Sequence, residues 1–116
     1  MSSFTIYHNP RCSKSRKTLA LLNEHGIEPE IVEYLKSPLS VGELKSLQQK
    51  LGTPALAMIR GKEQAFKDLG LNDGRPSDAS LLEAIAMHPV LLERPIVVRA
   101  DNAVIGRPPE NVLELL

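Results

Sequence analysis

The chain opens with a pattern that few folds accommodate: an apolar strand, an abrupt break, a helix, and a second strand, all within 35 residues. Phe4-Thr5-Ile6-Tyr7 alternates as a half-buried strand does, and Asn9-Pro10 interrupts it. A helical pattern starts at Ser13 and runs to about His25, with Leu19, Ala20, Leu21 and Leu22 supplying its apolar face. Gly26 stands just past the last turn, where a left-handed residue ends a helix. Glu30 to Leu35 then reads as a second strand. A strand, a helix and a strand joined by a right-handed crossover form a parallel pair.

The middle of the chain is helical. Ser40-Val41-Gly42-Glu43 has the form of a capping box, in which hydroxyl and carboxylate each satisfy an orphan backbone donor. Leu39 and Leu44 take the staple positions around it, and Leu47 and Leu51 continue the face to Gly52. Thr53-Pro54 starts a short helix that carries Leu56, Met58 and Ile59 and ends at Arg60-Gly61. A further piece spans about 63–69, and another helix runs from Ser77 to His88, stopped by Pro89. Ile96–Arg99 and Ala103–Ile105 read as strands around an Asp101-Asn102 hairpin turn, and Pro108-Pro109 opens a last helix to about Leu115. The expected fold is therefore one α/β domain over residues 1–116, with a mixed sheet and a helical insertion between the second and third strands. That is the element order of the thioredoxin fold.

Fourteen basic residues balance fourteen acidic ones. No bulk attraction to nucleic acid or an anionic membrane is expected from a net charge of zero. Apolar runs are too short to span a bilayer, and Met1-Ser2-Ser3-Phe4 has neither a basic region nor an apolar one of the kind that begins a signal peptide. With one cysteine no internal disulfide can form, which fits a reducing compartment, and the cytoplasm is the expected location. No apolar stripe argues for self-association, so a monomer is expected. His25 and His88 read as helix-end residues, and neither a metal-ligand cluster nor a phosphate-cradling glycine loop is evident.

The charge is unevenly placed. Residues 1–20 hold Arg11, Lys14, Arg16 and Lys17 and no acid. Cations in a helix's first turns oppose the macrodipole, so their grouping suits an anionic ligand rather than the helix. Cys12 sits among them, between Asn9 and the polar run Ser13-Lys14-Ser15. A lone cysteine is commonly a buried apolar residue. Here polar neighbours, nearby cations and the start of a helix point instead to a reactive thiol. Lowering a thiol pKa from ~8.5 to ~6.5 raises the thiolate fraction at pH 7 about 25-fold. Intrinsic nucleophilicity falls about 8-fold over the same interval, so the net gain is only about 3-fold. Other groups must stabilise the substrate and its transition state.

The run from Tyr7 to Leu19, centred on His8-Asn9-Pro10-Arg11-Cys12-Ser13-Lys14-Ser15, resembles the active-site segment of the glutaredoxin-coupled arsenate reductases. The resemblance extends to Met58-Ile59-Arg60-Gly61, to Glu93-Arg94-Pro95-Ile96 and to Ile105-Gly106-Arg107-Pro108, and so covers essentially the whole chain. It implies a thioredoxin-like fold in which Cys12 attacks arsenate, Arg60, Arg94 and Arg107 bind the oxyanion, and His8 helps to set the thiol's pKa. Asn9, Ser13, Ser15 and Pro95 would be supporting residues, and the Arg94–Pro95 bond is expected to be cis, facing the thiol. Guanidinium forks suit a tetrahedral oxyanion, since they bind its oxygens bidentately and stay charged. Spacing alone does not separate these three arginines from Arg16, Arg75 or Arg99.

The resemblance further implies a covalent thiol–arsenate adduct, resolved by glutathione as co-substrate and by glutaredoxin, with no bound cofactor or metal. The absence of a second cysteine is consistent with external thiols and inconsistent with relays through the chain's own. Two alternatives stay open. One is a redox regulator of the same fold that binds RNA polymerase, although such proteins carry a second cysteine where this chain has Ser15. The other is a housekeeping oxidoreductase acting on glutathione adducts.

Overall fold

The computed structural model describes residues 3–60, 67–68 and 77–116. Packing groups the chain into two units, Met1–Ser37 with Arg94–Leu116, and Pro38–Glu93.

The first unit is built on a four-stranded mixed sheet. Its strands are β1 (Phe4–Tyr7), β2 (Glu30–Val32), β3 (Ile96–Arg99) and β4 (Asn102–Ile105), in the order β2-β1-β3-β4. β1 runs parallel to β2 and antiparallel to β3, and β3 is antiparallel to β4. Helix α1 (Ser13–Glu24) makes the crossover from β1 to β2. Ile6, Leu22, Val97, Val112 and Leu115 form the core of this unit, joined by Phe4, Leu19, Leu21, Ile27 and Val104. β3, inside the sheet, is apolar on both faces, and Ile96 and Val97 are fully buried.

Three expectations are corrected here. β2 stops at Val32, because the Glu33 carbonyl accepts from the Lys36 and Ser37 N–H groups and turns the chain, with Tyr34 buried inside the turn. Arg99 pairs with Asn102, so the hairpin loop is Ala100-Asp101, one residue earlier than expected, and Ala100 holds a positive φ of 54°. The last helix, Pro109–Leu115, is a 3₁₀ helix. Pro109, Val112 and Leu115 are its buried residues, and a burial period of three matches three residues per turn. Asn111 Nδ2 ties its start to the Ile105 and Arg107 carbonyls at 3.1 and 3.2 Å.

The second unit contains α2 (Val41–Leu51) and α3 (Asp78–Met87). The capping box is formed, with Ser40 Oγ accepting from the Glu43 N–H at 3.1 Å and Glu43 Oε1 from the Ser40 N–H at 3.2 Å. Leu39 and Leu44 are both buried, as staple residues are, and Gly52 ends α2 in the left-handed region. The segment after Pro54 is a 3₁₀ turn, Ala55–Met58, that ends sooner than expected because Ile59 bridges Leu92. The Arg60 N–H donates to the Leu91 carbonyl and the Glu93 N–H to the Met58 carbonyl, both at 2.7 Å. Asp78, at the start of α3, accepts from Gln48 Nε2 at 2.8 Å and from the Ala55 N–H at 3.3 Å. Of the piece expected at 63–69, only Lys67 and Asp68 lie within the described residues, and both are helical. Among the described residues no helix is long and apolar enough to cross a membrane.

Candidate active site

The register brings the expected residues of the first unit to one end of its sheet. Tyr7 pairs with both Val32 and Ile96, and Ile96 with Ile105. The segments after β1, β2 and β4 and the segment before β3 therefore all leave the same edge. Those segments carry His8 and Cys12, Glu33 to Lys36, Arg107, and Arg94-Pro95. The carboxyl end of a parallel strand pair is where open α/β sheets place ligands.

Cys12 is the N-cap of α1, partly exposed, and its side chain makes no capping hydrogen bond. Its N–H donates to the Asn9 carbonyl at 3.0 Å, and its own carbonyl accepts from the Arg16 N–H at 3.0 Å. No acid occupies the first turn of the helix, so no carboxylate competes there for the N-terminal N–H groups and their partial positive charge. Asn9 shapes the loop, since its Oδ1 accepts from the Arg11 N–H at 3.0 Å. Arg16 braces it from the helix, donating through Nη1 to the Pro10 carbonyl at 2.9 Å. Ser13 is the first helical residue and is exposed.

His8 extends the β1–β2 ladder by one bond, its N–H donating to the Val32 carbonyl at 2.9 Å. The ring is buried, and Nδ1 lies 2.6 Å from Ser15 Oγ. Burial lowers the imidazole pKa below 6.5, Glu33 pulls it up and Arg16 adds to the lowering. His8 is thus chiefly neutral at pH 7 and is held by Ser15.

Arg94 and Arg107 flank the open end of the β3–β4 hairpin. The Gly106 N–H donates to the Pro95 carbonyl at 2.9 Å, so the pairing continues one step beyond Ile96 and Ile105 and leaves the two arginines as the next residues on each side. Arg94–Pro95 is cis, as expected, and Arg107–Pro108 is cis as well. Arg60 belongs to the second unit, where its Nε lies 3.9 Å from Glu93 Oε1. Arg99 stands at the other end of the sheet, opposite Phe4, with its guanidinium 5.1 Å from the Phe4 ring centre and Nη1 donating to the Leu115 carbonyl. Arg75 lies outside the described residues.

Three features of the site are not evident from residue types. Ser15 and Thr18 are fully buried, in line with Leu22 on the inward face of α1. Their spacing of three and four with Leu22 was the available signal, but polar side chains hid it. Gly106 is packed so closely that an added Cβ would meet Thr18 Oγ1 at 2.8 Å and Pro95 Cγ at 2.9 Å. Beside the loop lies a cleft of ≈ 200 Å³ lined by His8, Asn9, Pro10, Arg11, Glu33, Leu35 and Lys36. No group of three or more His, Cys, Asp or Glu side chains placed to hold a metal occurs among the described residues.

Residues 7–115 match the ArsC family. The chain belongs to the ArsC family. Relatives within or beside it are similar over nearly their whole length. The arsenate reductase of Haemophilus influenzae is 52% identical over 98% of this chain and 99% of its own. That of Neisseria meningitidis serogroup A is 49% identical, with both chains fully covered. The solved structure of an arsenate reductase from Vibrio cholerae superposes with a TM-score of 0.96 at 54% identity, covering 99% of this chain and 98% of that one. The thioredoxin-like architecture of ArsC proteins is therefore the architecture of this chain.

Proposed function

We propose that this ArsC-family chain reduces arsenate to arsenite, using Cys12 as nucleophile and external thiols as the electron source. The observation that carries the proposal is the placement at one sheet end of a single accessible thiol at a helix N-terminus and of two arginine residues, Arg94 and Arg107. A tetrahedral oxyanion with one to two negative charges is the ligand that such donors suit. The naming of similar full-length relatives as arsenate reductases supports arsenic as its centre. Arg60 joins the oxyanion-binding set on the resemblance of Met58-Ile59-Arg60-Gly61.

In this reading the Cys12 thiolate attacks arsenic(V), an As–S bond forms, and one arsenic-bound oxygen departs as water. Glutathione displaces a second oxygen as water. A glutaredoxin thiolate then attacks the glutathione sulfur, forming a disulfide. The As–S bond to glutathione breaks, its electron pair staying on arsenic, which becomes arsenic(III). Hydrolysis of the remaining bond to Cys12 releases arsenite and restores the thiol. Two electrons pass to arsenic, and two thiols become one disulfide. Glutathione is a co-substrate here, and the chain needs no bound cofactor.

The test is direct. Purified protein with arsenate, glutathione and glutaredoxin releases arsenite, and Cys12→Ala abolishes the release. A wild-type protein that shows no arsenate-dependent oxidation of glutathione overturns the proposal.

A further inference from the structure

Helix α1 buries three residues, Ser15, Thr18 and Leu22, and each is set against a different part of the first unit. Ser15 Oγ meets the loop after β1, 2.6 Å from His8 Nδ1 and 3.1 Å from the Asn9 nitrogen. Leu22 joins the apolar core with Ile6, Val97, Val112 and Leu115. Thr18 lies against Gly106, the residue before Arg107. The proposed chemistry gives Thr18 no part. Yet it stands where the helix that begins at the thiol meets the hairpin end that carries the arginines.

The contact is close. A Cβ on Gly106 would meet Thr18 Oγ1 at 2.8 Å, Thr18 Cγ2 at 3.0 Å and Pro95 Cγ at 2.9 Å, so Gly106 is held between Pro95 and both arms of the branched side chain. Because the Gly106 N–H donates to the Pro95 carbonyl at 2.9 Å, the segments bearing Arg94 and Arg107 are tied to one another and are seated on α1 together.

Thr18 does little for its own helix. Its Oγ1 donates to the Lys14 carbonyl at 2.8 Å, with the Gly106 carbonyl at 3.4 Å. A back-bond to the fourth residue before slightly destabilises a helix, and a β-branched residue forms one less readily than alanine or leucine. What the side chain supplies is a fixed shape. The back-bond holds one arm, and the stiffness of a β-branched χ1 then places the other.

We infer that Thr18 is a positioning residue, which sets the separation between Cys12 and the pair Arg94 and Arg107. Its role in catalysis rests on the arsenate-reductase reading, but the placement can be tested apart from it. Thr18→Ala removes both arms, and a core closes over such a gap only partly, so a shift on the order of half an ångström is expected. Misplacement by about 1 Å can cost roughly 100-fold in rate, so about half of that should cost roughly tenfold.

In crystal structures of the variants superposed on the sheet, the Cys12–Arg107 Cα separation changes in Thr18→Ala and is kept in Thr18→Val, which retains both arms. The arsenate kcat/KM falls about tenfold or more in Thr18→Ala and stays within about threefold of wild type in Thr18→Val. Alkylation of Cys12 by iodoacetamide, which needs the thiol but not the arginines, stays within about twofold in both. Where the alanine variant does not fold, Thr18→Ser drops the methyl arm alone and lowers kcat/KM by about threefold or more. An unchanged separation in Thr18→Ala, a valine variant as impaired as the alanine one, or an equal fall in alkylation overturns the inference. Wild-type protein without arsenate turnover overturns the functional reading instead, and a separation altered by alanine but not by valine would still establish Thr18 as the seat of the hairpin end.

Discussion

The Nδ1 atom of His8 and the hydroxyl oxygen of Ser15 lie 2.6 Å apart, both shut off from solvent. Ser15 Oγ also accepts from the Asn9 N–H at 3.1 Å. One serine on α1 thereby holds both the histidine that follows β1 and the path of the loop that joins them.

Ser15→Ala removes the hydroxyl and leaves the Asn9 N–H and His8 Nδ1 without this partner. The expected cost is about 1–3 kcal/mol. Urea unfolding should show a lower midpoint with an unchanged m-value. A midpoint equal to wild type would mean that water or a rearranged loop satisfies both groups.

His8 also makes stability depend on pH. Its folded pKa lies below 6.5, so between those values the unfolded chain binds more protons than the folded one. The stabilising contribution is fully present above pH 6.5 and is lost as pH falls through the folded value. An NMR titration of the imidazole signals should place the His8 midpoint below 6.5, and His8→Gln should flatten the acid side of the stability profile. A His8 midpoint above 6.5 would contradict the dominance of burial.

Gly106→Ala places a methyl group against Thr18 and Pro95, neither of which has a flexible end to move aside. Overpacking of this kind costs about 1–3 kcal/mol. Because Gly106 and Pro95 also link the segments bearing Arg107 and Arg94, the variant should both unfold at lower urea and show a raised arsenate KM. Loss of stability alone would separate the packing role from the placement of the arginines.

Arg94→Lys and Arg107→Lys keep the charge but lose the planar fork. Each should raise the arsenate KM by about tenfold, the worth of one charge-assisted hydrogen bond. Arg99→Lys, at the far end of the sheet, should leave that KM unchanged. Equal effects in all three variants would remove the distinction between the two sheet ends.

Local signals proved sufficient wherever a structure depends on near neighbours in the chain. The capping box at Ser40 and Glu43, the left-handed Gly26 and Gly52 and the stop at His88-Pro89 all involve groups a few residues apart. The ends of elements were less legible when a partner was distant. β2 ends early where Tyr34 turns inward, and the segment after Pro54 is cut short by the bridge from Ile59 to Leu92. The hairpin slipped by one residue because cross-strand pairing of Arg99 with Asn102 outweighed the turn preference of Asn102.

By itself the amino-acid sequence determined that Cys12 is the sole thiol, that it begins a helix among cations, and that any second thiol must come from outside the chain. Only the tertiary structure decided which arginines can share its surroundings. Arg94, Arg99 and Arg107 look alike in sequence, but strand register puts two at the Cys12 end and the third at the opposite end. Tertiary structure also made Ser15 and Thr18 inward-facing residues of an otherwise cationic helix start. Polar side chains can be buried there because their partners, His8, the Asn9 N–H and the Lys14 carbonyl, are brought within hydrogen-bonding reach by the folded loop and helix, and residue type alone carries no record of them.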